Sequence, residues 1–331
     1  MLLGANAVAE FFASDKEKAA YETVGLIDKI RVGHNHFDGA IKNIRACIKQ
    51  SVFSQEASNC MLLGEGGMGK TSISEIFKAT MKKEVVIEND LEISTVPTFY
   101  TSFKSSRTLD ALTTDMLKKL NDPHPDVGTV AEKAARARDL LKRCHTAIVF
   151  IDELHDLEGF EKRDVAKMKV FIKWIKELCN ERGPVICLMG ITSCYDIFKD
   201  DPEMARRFKR KFLLKPLTAG TEGEPGLLHS FVNDICREIV TRTSIQSFPS
   251  MSDYLSVLRI FVATGGSPDF VMTLIKEAVL RVLLEGRNIV ELDDFALVWK
   301  SGLLDDASII TTNPFHATHA QIAAAIRRKN R

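Results

Sequence analysis

Short apolar runs alternate with amphipathic stretches through the first two thirds of the chain, and only amphipathic stretches follow. The runs stand at 60–63, 96–103, 147–151, 185–189 and 212–214, each of strand length. Helix-like sequence lies between most of them. At 37–48 (FDGAIKNIRACI), for example, Phe37, Ile41, Ile44 and Ile48 fall on one helical face. Strands alternating with helices predict a parallel sheet covered on both faces. After Pro216 the pattern changes: 227–241, 253–263, 269–284 and 292–299 all read as helices with no clear strand between them. The stretch around 217–225 is a loop by composition. Asp269 after Pro268, and Asp293 after Leu292, fit helix starts. The predicted organisation is a helical N-terminal extension (1–35), an α/β core (36–217), a small all-helical domain (218–302) and a partly flexible tail (303–331). No internal repeat is visible.

Composition narrows the classes. A chain of 331 residues holds one large domain or two of ordinary size. Its 45% hydrophobic and 27% charged residues are those of a soluble globular protein. No stretch approaches the ~18 consecutive apolar residues that span a bilayer. The opening MLLGANAVAEFFASDKEK has no basic n-region, and Glu10 breaks its apolar run, so no signal peptide is read. The seven cysteines form no CxxC pair and suit reduced thiols, so a cytoplasmic location without membrane contact is expected. With a net charge of +1, any DNA binding must come from a local basic patch.

Gly64-Glu65-Gly66-Gly67-Met68-Gly69-Lys70-Thr71 fits GxxxxGK[ST] at every defined position, and Ser72 opens a helix-like stretch to 79. An apolar run precedes it, so strand, loop and helix stand in the order a phosphate-binding loop needs. Glycines permit backbone angles at which successive N–H groups converge on phosphate oxygens. The helix N-terminus adds a favourable dipole. Lys70 reaches the β and γ phosphates of ATP, and the Thr71 hydroxyl ligates Mg²⁺. The competing explanation is a chance glycine-rich turn.

A second half of the site follows at 147–153, where an apolar strand ends in Asp152-Glu153. In P-loop ATPases the first acid holds Mg²⁺, and the second can polarise the attacking water. Strand C-termini in parallel sheets face the ligand crevice. Alone, such a pair is more often a helix cap; beside a P-loop it completes a site. His155 and Asp156 are read as structural or solvated. After the run PVICLMG, Thr192 offers a hydroxyl to the γ-phosphate or to water, with an ordinary helix N-cap as the alternative. In 202–208 (PEMARRF), Arg207 and Arg206 are candidates for a trans arginine reaching a neighbour's ATP, with a solvated basic face as the alternative.

Taken together, MLLGEGGMGKTSI, IVFIDELHDL and PVICLMGITSCYDIFKDDPEMARRF resemble the TnsC/TniB transposition ATPases of the AAA+ superfamily. The more specific parts are Asp201-Pro202-Glu203-Met204-Ala205-Arg206-Arg207-Phe208 and Thr264-Gly265-Gly266-Ser267. The resemblance covers roughly residues 30–300. It implies an α/β AAA+ P-loop NTPase with a five-stranded parallel sheet and a small helical lid. It also implies ATP and Mg²⁺ bound between neighbouring subunits, with Thr192 as a sensor. Such proteins form head-to-tail homo-oligomers, rings or filaments, on double-stranded DNA. They link a target-site selector to the transposase and disassemble on hydrolysis. One departure stands out: the start of the lid helix, 265–270, has no arginine where many AAA+ proteins carry a second sensor.

For DNA, 161–176 carries six basic and two acidic residues. Val165, Met168, Ile172 and Ile175 form its core-facing stripe, and Lys162, Arg163, Lys167 and Lys169 lie largely outside it. A second candidate is the loop with Lys104 and Arg107. Both suit contact with the DNA backbone, and both are also explained as solvated surface. No base-reading element is recognisable, so binding would be largely sequence-independent and salt-sensitive. Asn313-Pro314-Phe315 and the basic end offer a peptide hook for the transposase or, alternatively, a disordered tail. Competing functions are a helicase loader or initiator, which an added winged-helix domain would favour, and a signalling NTPase, which usually carries repeat arrays not seen here. A metabolic P-loop kinase is disfavoured by the acidic pair and the long helical lid.

Overall fold

A computed structural model describes residues 11–54, 56–103, 108–154, 165–179, 183–198, 201–251 and 253–329. Contacts divide the chain into two units, His36–Lys215 and a second made of Met1–Asn35 with Pro216–Arg331.

The first unit is α/β. Strands β1 (Cys60–Leu63), β4 (Thr98–Ser102), β5 (Ile148–Asp152), β6 (Val185–Gly190) and β7 (Arg210–Leu213) form one sheet in the order β4-β5-β6-β1-β7. Every neighbouring pair is parallel. Residues of β1, β5 and β6 are buried throughout, as expected where both faces are covered. Alternation along the strands splits the core in two. Met61, Leu63, Val149, Ile151, Ile186 and Leu188 face α4 (Leu109–Lys119), α5 (Val130–Arg143) and α6 (Val165–Cys179). Cys60, Leu62, Ile148, Phe150, Cys187 and Met189 face α2 (Asn35–Phe53) and α3 (Lys70–Thr80). All five expected strands are present, with the last beginning at Arg210 rather than 212. The sequence reading missed a separate antiparallel pair, β2 (Val85–Glu88) and β3 (Leu91–Ser94). Asn89 and Asp90 join it, both at positive φ (49° and 62°), as a two-residue hairpin turn demands.

Between β6 and β7 a 3₁₀ turn (Thr192–Phe198) leads to a short helix, α7 (Pro202–Arg207). Its start explains the Asp-Pro pair. Asp201 accepts the Glu203 and Met204 N–H groups, each at 3.1 Å, while Pro202 sits where no intrahelical N–H partner exists. Met204 and Phe208 are buried and pin the helix to the core.

The second unit is helical: α1 (Asp15–Ile27), α8 (Leu227–Arg242), α9 (Tyr254–Thr264), α10 (Pro268–Glu285), α11 (Leu292–Lys300) and α12 (His319–Lys329). Two expectations are corrected here. The described residues of 1–35 are not a separate extension, because α1 packs on α10, burying Ala20 and Ile27, and Asp28 pairs with Lys276 at 2.7 Å. Nor is 303–331 a flexible tail or a free hook. The Asn313 amide donates to the Ala296 carbonyl at 2.9 Å and its Oδ1 accepts the Phe315 N–H at 3.1 Å. This turn drives the Phe315 ring, 2% exposed, against Phe295 at a centroid distance of 5.7 Å. Ile322 and Ala325 of α12 then pack on Leu258 and Val262 of α9. Burial of these apolar groups outweighs the chain entropy that a free tail would keep. The glycines of 264–267 are likewise structural: Gly265 and Gly266 have φ of 60° and 78°, and a Cβ on Gly266 would meet the Leu217 carbonyl at 2.3 Å.

No single described helix is long and apolar enough to cross a membrane. Phe315→Ala is expected to destabilise the helical unit by about 3 kcal/mol, the usual cost of a large buried cavity. Denaturant unfolding monitored by tryptophan fluorescence checks this; an unchanged midpoint would mean that the C-terminal segment is not docked.

Candidate nucleotide site

In a parallel sheet all strand C-termini lie along one edge, and three of them meet here. The P-loop follows β1, Asp152 ends β5, and Thr192 follows β6. The Gly64 N–H donates to the Gly190 carbonyl at 3.1 Å, tying the exits of β1 and β6 together. Gly64 itself is close-packed: a Cβ there would stand 2.9 Å from the Leu214 carbonyl. Gly67 (φ 74°) and Gly69 (φ 88°) supply the left-handed angles that wrap the loop. Met68 is buried and anchors the loop from below, and the Phe37 ring lies against Gly69, where a Cβ would approach it to 3.1 Å. Helix α3 then starts at Lys70 with no side-chain cap on its first N–H groups, the arrangement that serves anions.

Lys70 folds over the loop. Its Nζ donates to the carbonyls of Gly64 (2.6 Å) and Glu65 (3.0 Å). Desolvation lowers its pKa, against the pull of Asp152, Glu153 and Glu65. Thr71 donates its hydroxyl to Asp152 Oδ2 at 3.2 Å. Asp152, 2% exposed, is satisfied by three donors: Thr71, the Tyr100 phenol (2.9 Å to the same oxygen), and the Glu153 N–H (2.8 Å to Oδ1). Glu153 has φ of 60°, a left-handed conformation that costs a non-glycine residue about 1 kcal/mol. The turn after β5 thus separates the two adjacent carboxylates, one buried and one partly exposed.

Thr192 is brought to the site too, donating to Glu65 Oε1 at 3.1 Å across the P-loop. Ser72 lies on α3 behind Thr71, and Gly66 has open space above it. Arg207 is held differently. It pairs with Glu203 at 2.8 Å within α7 and is 14% exposed, while Arg206 beside it is exposed. Lys176 of α6 bridges Asp201 (2.8 Å) and Glu203 (2.7 Å), so α7 is fixed to α6 by a four-charge network. Of the proposed DNA contacts, Lys104, Arg107, Lys162 and Arg163 lie outside the described residues, as does the side chain of Lys167. Lys169 stands exposed on α6. Sequence reasoning missed Tyr100, whose ring reads as strand core, and the bond between Glu65 and Thr192; the hydroxyl of a tyrosine two residues before a strand end was the available signal.

The donor set suits a phosphate with a hard cation. Among the described residues no group of three or more His, Cys, Asp or Glu side chains forms a self-contained metal cage. Magnesium is commonly held by one or two carboxylates together with substrate phosphates, and Asp152 with the Thr71 hydroxyl offers that partial set.

Lys70→Ala removes the ammonium that meets phosphate and is expected to weaken ATP binding by about 2–3 kcal/mol. Isothermal titration checks it, and unchanged affinity would exclude Lys70 from the site. Glu153→Gln is expected to bind ATP normally while lowering kcat by about 10² to 10⁴; wild-type turnover would remove Glu153 from the chemistry.

The family model described as bacterial TniB protein matches residues 27–216. No curated protein matches the sequence. Solved structures similar to the chain include the ORC2 protein of Aeropyrum pernix in its ADPNP–ADP complexes (12% identity, TM-score 0.58, covering 85% of this chain and 72% of that one). Another is Cdc6p from Pyrobaculum aerophilum (12% identity, TM-score 0.58, covering 92% and 88%). A third is the A. pernix ORC1 protein in complex with DNA (15% identity, TM-score 0.57, covering 93% and 86%). At such identities the likeness shows the fold alone. With the matched segment spanning more than half of its length, the chain belongs to the bacterial TniB family and is an AAA+ ATPase.

Proposed function

We propose that this ATPase regulates DNA transposition by assembling on double-stranded DNA in its ATP-bound state. It links a target-site selector to the transposase, and hydrolysis releases the assembly. In this reading Thr71 and Asp152 hold Mg²⁺ and Glu153 activates the attacking water. Thr192 leaves Glu65 to sense the γ-phosphate.

The observation that carries the reading is the placement of α7. The Asp201 cap and the buried Met204 and Phe208 hold a short arginine-bearing helix immediately before β7, the edge strand of the sheet. An arginine at a sheet edge is positioned for a second copy of the chain. A head-to-tail interface of this kind generates rings or open helices. Arg207 is the better candidate for the trans contact, since its guanidinium is already ordered by Glu203. Exchange of that carboxylate for a neighbour's γ-phosphate replaces one anion with a more highly charged one.

Membership of the family supports the transposition role, and the fold likeness to an ORC1 protein solved in complex with DNA supports a DNA-bound state. That same likeness to ORC and Cdc6 proteins favours, as a second reading, an initiator-like DNA ATPase. DNA contact is assigned to the basic segments containing Lys104, Arg107, Lys162, Arg163, Lys167 and Lys169, acting on phosphates rather than bases.

Two outcomes follow from a shared site. Arg207→Ala and Glu153→Gln are each expected to be nearly inactive alone, yet their mixture should recover ATPase activity. In mixed assemblies some interfaces pair an intact P-loop site with an intact Arg207. Absence of recovery, with both variants folded, would exclude a trans arginine. Fluorescence anisotropy with labelled duplex should give ATP-dependent binding that is insensitive to sequence and falls by about 10³ or more between 50 and 200 mM salt, if six or more phosphates are contacted. Salt-independent or nucleotide-independent binding would contradict the DNA assignment.

A further inference from the structure

We infer that Tyr100, a residue outside both nucleotide-binding motifs, is a positioning residue for the magnesium site, holding the Asp152 carboxylate toward Thr71. The inference rests on the reading that Thr71 and Asp152 hold Mg²⁺.

The geometry is specific to this side chain. Tyr100 lies on β4 opposite Phe150 of β5, two residues short of Asp152. Two residues along a strand span about 6.6 Å, which is close to the reach of a tyrosine from its Cα to its hydroxyl. Its phenol therefore arrives at the strand end while its backbone stays within the sheet. It donates to Oδ2 of Asp152 at 2.9 Å, the same oxygen that Thr71 contacts at 3.2 Å. Groups from β4 and α3 thus converge on one oxygen of a β5 residue.

The ring is held from the other side. Lys78, in the last turns of α3, places its ammonium 4.8 Å from the ring centroid and is itself paired with Glu75 at 2.7 Å. Helix α3 therefore grips Tyr100 near its C-terminal end and, through Thr71 at its N-terminal end, meets the same Asp152 oxygen. Burial, followed by the neighbouring Asp152 charge, pushes the phenol pKa upward.

The chemical consequence is orientation. A buried carboxylate that binds a cation must be held by its remaining lone pairs, or it rotates and presents the wrong oxygen. The Glu153 N–H fixes Oδ1, and Tyr100 fixes Oδ2. When the Thr71 hydroxyl turns its lone pair toward a cation, the phenol is the donor that keeps Asp152 in place. A phenylalanine at this position would preserve the packing and lose only that donor.

The test is Mg²⁺-dependent binding of a fluorescent ADP analogue to the full chain. Tyr100→Phe is expected to raise the Mg²⁺ concentration for half-saturation about tenfold, the scale seen for lost outer-shell bonds, while affinity measured in EDTA stays within about twofold of wild type. Lys78→Met, which loosens the ring without touching the phenol, should shift Mg²⁺ dependence in the same direction and by less. An unchanged Mg²⁺ requirement in Tyr100→Phe would overturn the inference, as would an equal loss of affinity in EDTA, the mark of a packing role. Asp152→Asn separates this failure from a failure of the underlying assignment. If Asp152→Asn keeps wild-type Mg²⁺ dependence, the metal reading falls. If it loses that dependence while Tyr100→Phe does not, only the positioning role falls.

Discussion

A carboxylate buried at the end of a central strand is the constraint around which the α/β unit is arranged. Asp152 is shielded from water, and an unpaired charge there would be too costly for the fold to keep. Each of its hydrogen bonds recruits a different element: Thr71 from the P-loop helix, Tyr100 from β4 and the backbone N–H of Glu153. The strand order places β5 between β4 and β6, so the acid is flanked by the tyrosine on one side and by the Thr192 turn on the other. The left-handed Glu153 turns the chain sharply just past the strand end, so the two adjacent carboxylates part company. Local strain is accepted, and the second carboxylate stands partly exposed beside the buried one.

The P-loop meets this acid because β1 and β6 are joined at their exits. The Gly64 N–H donates to the Gly190 carbonyl, and neither glycine has room for a side chain: a Cβ on Gly190 would meet the Cys194 sulfur at 2.6 Å. The same turn delivers Thr192 to Glu65, so the β6 exit and the phosphate loop are in direct contact. Farther along the chain, the Lys176, Asp201, Glu203 and Arg207 network gives α7 a fixed posture despite its six residues. Such a short helix has little stability of its own; its cap, its two buried anchors and its ion pairs make it a rigid presenter of arginine.

Much of this was legible in the sequence, because the phosphate loop and the acid-tipped strand are local signals in which a few adjacent residues carry all the chemistry. The buried parallel strands were legible for the same reason, as unbroken apolar runs. What escaped depended on partners distant in the chain. The β2–β3 pair has only four residues per strand, largely exposed, and its sole marker is the Asn89-Asp90 turn. The docked C-terminal segment reads as a tail because Phe315 and the short 322–326 run (IAAAI) stand between polar stretches and acquire meaning only against α9 and α11. Tyr100 escaped because a ring in a strand is usually core, and its phenol matters only once β4 is known to lie beside β5.

The most direct test of the account is electron microscopy of the full chain on linear duplex DNA with ATP, with ADP and without nucleotide. Closed rings or helical filaments on DNA with ATP alone, with density for nucleotide at a subunit boundary and for Arg207 reaching it, are the predicted result. Nucleotide bound at the P-loop of a chain that stays monomeric on DNA under all three conditions would contradict it, leaving an ATPase whose site is complete without a neighbour.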